Sequence, residues 1–282
     1  MYLEIIYQYE AAPLTDALQK LFIPRKVRHL LRTKRNVLIN YQSCPFHTIV
    51  QPGDLLSLTF DKEDYPDYRV TPWQTNIDVC YEDEHLIIVN KPCHIKTHPN
   101  QPQETETMLN AVKGYFVQHN DDSDPYVVHR LDKETSGLLL FAKNPVILPL
   151  LTQMLERKEI HRDYEAMIDG VLNKAITITK NIAQDRHDKR RRIAVNRGGK
   201  HAITHVKVIK KEGSTTRVRC TLDTGRTHQI RVHLASINHP ILGDPLYNEK
   251  DRRSRLYLHA YHLYFNHPLT GEPIDIYSSI PF

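Results

Sequence analysis

The chain has 282 residues, a quarter of them charged, and a net charge of +5. That length holds one large domain, or a large one and a small one, and no apolar run approaches the length that spans a bilayer. The amino terminus, MYLEIIYQYEAAPLTDALQKL, has no basic start followed by a long apolar core, and the four cysteines at 44, 80, 93 and 220 include no CxxC pair. The expectation is a cytoplasmic, monomeric protein with reduced thiols, without a disulfide framework or a zinc site. Positive charge is clumped: Arg25, Lys26, Arg28, Arg32, Lys34 and Arg35 form one group, Arg186 and Lys189 to Arg192 a second, and Arg252, Arg253 and Arg255 a third. Clumped basic charge favours a polyanionic partner over isolated solvated faces.

Residues 14 to 60 read as a compact unit. LTDALQKLF has helical periodicity, with Thr15 or Asp16 available as its cap. Pro24 then opens RKVRHLLRTKR, a helix with Arg25, Arg28 and Arg32 on one face and Val27, Leu30 and Leu31 turned the other way. NVLIN reads as a short strand, and QPGDLLSLTF as a turn followed by an alternating strand. The order helix, helix, strand, strand, with a basic second helix and the stretch RNVLINYQ…VQPGDLLSL, resembles the S4-type RNA-binding module. The domain assignment is therefore an S4-like domain over residues 1–62, a charged, aperiodic linker over 63–76 and a larger domain over 77–282.

In that larger domain, HLIIVN is a strand stopped by Lys91-Pro92, and TMLNAVKGYFVQH is a helix. Strand-like runs follow at 126–131 and 137–143. Asn144-Pro145 is a helix start, with Asn as cap and Pro as first helical residue. DYEAMIDGV, HAITHVKVIKK, TTRVRCTLD and LYLHAYHLYF alternate as strands do. Strands dominate and helices intervene irregularly, which predicts an α+β fold with a mixed, largely antiparallel sheet.

Several chemistries are excluded. With ten glycines spread thinly there is no GxGxxG, GxxxxGK[ST] or GxSxG, so no nucleotide cofactor is expected. HRLD is similar to the kinase catalytic loop, but no Gly-rich loop or DFG accompanies it. His201 and His205 have the HxxxH spacing, yet on a strand they stand roughly 13 Å apart at about 3.3 Å per residue, so no metal is expected either.

One constellation remains. VVHRLDKETSGLLLFAK carries a lone Asp132 beside Arg130, in a turn between two apolar runs. RDYEAMIDG follows, then GRTHQIRVHLASINHPILGDPLY. HRLDxxTSGLLLFAK, a basic-x-Tyr strand and GRTHQIRVHL…HPILGDPLY, in that order, resemble the RluA-like pseudouridine synthases, and VNKP…HP is similar to that family's first motif. The resemblance runs from about Tyr81 to the carboxyl terminus. Two departures stand out: His94 follows VNKPC where the family usually has Gly, and Arg162 replaces a usual Lys.

The resemblance implies an RNA uridine isomerase acting on ribosomal or transfer RNA without a cofactor. The C1′–N1 bond breaks, the uracil turns and a C1′–C5 bond forms. Asp132 is the implied essential carboxylate, acting either as a nucleophile or as the base that takes the C2′ proton; the sequence does not choose. Arg231 is the implied cation that keeps Asp132 ionised despite burial. On a strand, its neighbours Ile230 and Val232 would pack it in place. Tyr164 is expected to stack on the uracil, with its hydroxyl near the C5 proton. Arg130 is expected to fill the space left by the flipped base. His129, His228 and His233 read as scaffold, Thr135 and Ser136 as turn-fixing residues through side-chain to backbone bonds, and Gly137 as a position needing an unusual φ. The competing readings are a non-catalytic RNA-binding factor on the same scaffold, and a glycosidic hydrolase pairing Asp132 with Glu134.

Overall fold

The computed structural model describes residues 2–61 and 70–282, so residues 63–69 of the expected linker lie outside the described residues. The amino-terminal unit runs β1 (Tyr2–Ile6), β2 (Ala12–Pro13), α1 (Leu14–Lys20), α2 (Arg25–Lys34), β3 (Val37–Ile39), β4 (Gln42–Ser43), β5 (Ile49–Val50) and β6 (Leu55–Thr59). Both helices lie where their periodicity indicates, whereas β1 is not among the elements expected from sequence. It pairs antiparallel with β6 along its whole length and turns Leu3 and Ile5 into the core. Thr15 and Asp16 do not cap α1. They lie inside the helix, Pro13 stands at its cap, and the Thr15 hydroxyl donates to the Phe46 carbonyl at 3.0 Å. Pro24 holds the same place before α2, where the missing N–H costs nothing because the first helical N–H groups have no partner in the helix. Val27 and Leu31 of α2 are buried while Arg25, Arg32, Lys34 and Arg35 are exposed.

The larger unit continues with β7 (Asp78–Glu82), β8 (Leu86–Lys91), α3 (Met108–Gln118), β9 (Tyr126–Val127), β10 (Ser136–Ala142), α4 (Ile147–Glu156), β11 (His161–Asp169), β12 (Ile176–Thr179), β13 (Asn181–Gln184), β14 (Arg192–Val195), β15 (Ile203–Glu212), β16 (Thr215–Leu222), α5 (Gln229–Ala235), β17 (Leu258–Asn266) and β18 (Pro273–Tyr277). Its main sheet has the order β12-β15-β16-β11-β17-β10-β8-β7, with β9 on β10 and β18 on β17. Among the described residues β10 and β17 form the one parallel pair, so the α+β, largely antiparallel expectation holds.

That parallel seam is tight. Gly137 has φ +117°, and a Cβ there would come within 2.2 Å of the Ala260 carbonyl oxygen; only glycine fits. On its other side, Ala260 pairs with Tyr164 of β11, where the register shifts between Asp163 and Tyr164. β17 thus lies between the strand that leaves the Asp132 turn and the strand that carries Tyr164.

Three local expectations need correction. The strand expected over 126–131 ends at Val127: beyond it the Val128 N–H still donates to the Leu140 carbonyl of β10, but the His129 ring rather than a backbone carbonyl takes the Leu140 N–H, and Leu131 bonds to Thr97 outside the sheet. Regular α4 begins at Ile147, although Asn144 Oδ1 accepts the N–H groups of Val146 and Ile147, as a cap does. QIRVHL is a helix, α5, rather than a strand. Its I-R-V-H-L alternation is not an inside–outside pattern: Arg231 and His233 are as buried as Ile230 and Leu234. The polar pair is tolerated inside because each has dedicated partners.

β8 and β10 are buried on both faces. Leu86, Ile88, Leu138 and Leu140 join one apolar cluster with α4 and the core of the amino-terminal unit. Ile87, Val89, Leu139 and Phe141 face a second cluster containing α3 and residues of β11, β15, β16 and α5. Residues 70–76 carry no regular element but lie against α3: Asn110 Nδ2 donates to the Thr71 carbonyl, and a Cβ on Gly114 would meet the Trp73 carbonyl oxygen at 2.1 Å.

Candidate active site

The turn between His129 and Thr135 is held from several sides. The Thr97 hydroxyl donates to the Leu131 carbonyl (2.8 Å), and its oxygen accepts the Leu131 N–H (3.1 Å). The Thr135 N–H donates to the Asp132 carbonyl at 3.1 Å. Lys91 is fully buried, and its ammonium donates to the carbonyls of Pro92, Ile95 and Lys133, tying the VNKP turn to the Asp132 turn. Burial pushes that ammonium down to about 7, with Asp132 among the anions pulling the other way. His129 is buried, its Nε2 accepts the Leu140 N–H at 3.3 Å, and burial lowers it to about 3, so it stays neutral and acts as scaffold. Ser136 does not bond to backbone as expected. Its hydroxyl lies 2.8 Å from His259 Nδ1 and accepts from Arg255 at 2.6 Å, which assigns Arg255 of the third basic group a structural task.

His94 occupies the family's usual Gly position with φ +67°. The turn keeps its left-handed residue, and His94 Nε2 reaches the Ser254 carbonyl at 3.0 Å.

Asp132 opens into a cleft of about 870 Å³ that Arg130, Tyr164 and Arg231 also line, so the structure brings all four together. Arg231 has no exposed surface. Its Nε and Nη2 donate to Asp244 Oδ2 and Oδ1, both at 2.8 Å, and its Nη1 lies 3.5 Å from Asp132 Oδ2 and 3.7 Å from Glu134 Oε2. Burial works against this charge, but the bonds and field of Asp244, with Asp132 and Glu134 adding, raise the guanidinium above its ordinary value. Asp244 in turn accepts the N–H groups of Leu246 and Tyr247. Asp244 is a partner that sequence reasoning misses, although it stands in the quoted GDPLY stretch.

Tyr164 is 5% exposed. Burial pushes its phenol up, Asp132 and Asp163 add to this and Arg162 opposes it. The hydroxyl is therefore protonated at neutral pH. Arg130 is exposed at the rim, with no hydrogen-bond or ion-pair partner among the described residues. Arg162 also lines the cleft.

His228, assigned to scaffold from sequence, lies in the cleft wall with its Nε2 4.0 Å from Asp132 Oδ2. His233 is scaffold, between Thr204 Oγ1 and the Lys180 carbonyl. The cleft does not include Arg25, Arg28, Arg32, Lys34 or Arg35. Arg28 bonds Gln19 and Lys34 pairs with Asp61. His205 bonds Thr177 and Asp223, and among the described residues no group of three or more His, Cys, Asp or Glu is arranged to hold a metal ion.

A cleft in which Asp132 is set against a buried arginine, with a buried tyrosine on its wall and an exposed arginine at its rim, on a mixed sheet, has the make-up of an enzyme active site. Residues 85–236 match the RNA pseudouridylate synthase family, and residues 1–56 match the RluD ribosomal pseudouridine synthase N-terminal domain. The chain belongs to the RNA pseudouridylate synthase family and has its isomerase activity.

It is 38% identical over 252 residues to the uncharacterized RNA pseudouridine synthase YhcT of Bacillus subtilis, covering 88% of this chain and 82% of that one. It is 36% identical over 265 residues to ribosomal large subunit pseudouridine synthase D of Escherichia coli, covering 88% of this chain and 80% of that one. Human RNA Pseudouridylate Synthase Domain Containing 1 shares the fold, with a TM-score of 0.62 at 24% identity over 73% of this chain and 84% of that one.

Proposed function

We propose that this enzyme converts a specific uridine of ribosomal RNA to pseudouridine, with Asp132 as the essential carboxylate acting on a flipped-out nucleotide. The observation that carries this reading is the Asp132–Arg231 pair at the base of the cleft. A carboxylate beside a ribose must be ionised to attack C1′ or to take the C2′ proton, and Arg231 places a fixed cation 3.5 Å from it. The overall change is an isomerisation. The C1′–N1 bond breaks, C1′ joins C5, the C5 hydrogen leaves as a proton, and N1 gains one.

The cleft volume of about 870 Å³ lies in the range of sites that take a nucleotide. Tyr164 forms a face on which uracil stacks. Because burial raises its phenol, it serves in that protonated form rather than as a standing phenolate. Arg130, exposed and unpaired at the rim among the described residues, is suited to enter the gap left by the extruded base. The amino-terminal unit, read as S4-like and spanning residues 1–62, offers the outward arginines of α2 to RNA phosphates. The other parts of the assignment, a catalytic domain over 77–282 and a cytoplasmic monomer needing no nucleotide cofactor, go with this reading. Ribosomal RNA is preferred to transfer RNA because relatives such as the Escherichia coli enzyme carry the ribosomal large subunit in their names.

The test is release of tritium from RNA labelled at uridine C5, with wild type and Asp132→Asn side by side. Ribosomal and transfer RNA pools lacking pseudouridine are the two substrates. Release by wild type from ribosomal RNA, and none by Asp132→Asn, is expected. Full release by Asp132→Asn removes the proposed role, and release from transfer RNA alone reverses the substrate preference.

A further inference from the structure

Behind His228, which lines the cleft, two hydrogen bonds lead from the Arg192 backbone to the imidazole, whose far nitrogen faces the reacting carboxylate. The Arg192 backbone N–H donates to the Tyr247 hydroxyl at 2.8 Å. The same hydroxyl lies 2.9 Å from His228 Nδ1. His228 Nε2 lies 4.0 Å from Asp132 Oδ2. The imidazole meets the Tyr247 ring edge-on at 85°, and the Arg231 guanidinium lies over that ring at 5.3 Å from its centre. Tyr247 is thus fixed by Arg192 and Arg231, and it fixes His228.

Proton accounting favours one tautomer. The Tyr247 oxygen already accepts from Arg192, and among the described residues His228 Nδ1 is the acceptor within reach of the phenolic hydrogen. If Nδ1 carried the imidazole proton instead, two donors would face each other unless the phenol turned its hydrogen away from every described acceptor. With the phenol donating to Nδ1, Nε2 carries the hydrogen and faces Asp132. Burial, the largest influence on this imidazole, holds it below its ordinary value, with Asp132 opposing, so the ring is neutral.

We propose that His228 is a positioning residue for the isomerisation. Its Nε2–H, set by Tyr247, joins Arg231 Nη1 on Asp132 Oδ2 and leaves Oδ1 as the oxygen presented to the ribose. Both donors approach Oδ2, at 3.5 and 4.0 Å, and Oδ1 has no partner among the described residues. These are open-cleft distances, and donors of this kind close to bonding distance when substrate fills the site. A carboxylate anchored through one oxygen keeps its second in one place, which is what attack at C1′ or proton removal at C2′ requires. His228 has φ +57°, a left-handed conformation that His and Asn tolerate better than most residues.

The inference rests on Asp132 being the reacting carboxylate, so the test carries Asp132→Asn alongside. The measurements are the single-turnover rate of tritium release from C5-labelled ribosomal RNA, the RNA dissociation constant and the thermal midpoint. His228→Gln puts an amide N–H near the place of Nε2, whereas His228→Asn keeps the tolerated backbone but reaches only the place of Nδ1. His228→Asn is expected to lose on the order of 30-fold in single-turnover rate with RNA affinity unchanged, and His228→Gln to recover most of that loss. Tyr247→Phe, which frees the tautomer, falls between them. A wild-type rate in His228→Asn, or equal losses in the Asn and Gln variants, overturns the proposal. Turnover by Asp132→Asn overturns the underlying reading instead.

Discussion

Arg231 gives two of its nitrogens to Asp244 and turns the third toward Asp132, so a single fully buried guanidinium joins a structural carboxylate to the cleft carboxylate. The two pairings differ in kind. The Asp244 pair is a fork in which both oxygens are bonded at 2.8 Å, while Asp132 stands off at 3.5 Å and stays available for chemistry.

This geometry separates stability from activity. Asp244→Ala strands a buried cation and should cost about 3–5 kcal/mol of unfolding free energy, measured by urea denaturation. The double variant Arg231→Met with Asp244→Leu removes both charges and should regain much of that loss. It should not regain tritium release, because the guanidinium that faces Asp132 is gone. An Asp244→Ala protein as stable as wild type would contradict the account.

Gly137 is expected to tolerate no side chain. Gly137→Ala combines φ +117° with a Cβ that would lie 2.2 Å from the Ala260 carbonyl oxygen, and should cost roughly 3 kcal/mol or more. The damage should extend to activity, since the seam ties the strand that leaves the Asp132 turn to β17, whose Ala260 pairs on its other side with Tyr164. Thermal denaturation and single-turnover rates check both parts.

Stability should fall on acidification. Burial lowers His129 to about 3 and, chiefly again through burial, His259 to about 4. Both folded values lie below the unfolded value of about 6.5, so the unfolded chain takes up more protons below that pH. The stabilisation is therefore complete above pH ~6.5 and is lost as the pH falls toward the folded values. Each histidine should withdraw about 2 kcal/mol by pH 5. Urea midpoints at pH 7, 6 and 5 check the slope, and a flat profile would contradict burial of neutral imidazoles.

The α2 arginines should act on binding alone. Removing the amino-terminal unit is a poor test, because its core is continuous with the cluster that holds Leu86 and Leu140, so deletion bares apolar surface. The double variant Arg25→Ala with Arg32→Ala leaves that core intact, since both residues are exposed. It should weaken RNA binding and reduce the slope of log affinity against log salt by about 0.7–0.9 for each phosphate that the variant leaves unneutralised. The rate at saturating RNA should stay within about twofold. An unchanged salt slope would argue that α2 does not touch RNA.

Much of this protein was legible in the chain itself. Alternation by residue type marked β11, β15, β16 and β17; in β15 and β16 it follows an inward and a more open face, whereas the middle of β11 and the first half of β17 are buried on both faces. Periodicity marked α1 and α2, and the family resemblance singled out Asp132, Tyr164, Arg231 and Arg130, which line one cleft. Reading failed where burial was complete. QIRVHL alternates by residue type but is enclosed on every side, so its pattern carried no direction and could not distinguish the helix it forms from a strand. Composition also could not assign partners. The tertiary structure alone decided that Asp244 holds Arg231, that Lys91 ties two turns together, and that Tyr247 sets the His228 ring. Those pairs are distant in sequence or hidden within loops, and a charged or polar residue acquires its task only when folding removes water and leaves one partner within reach.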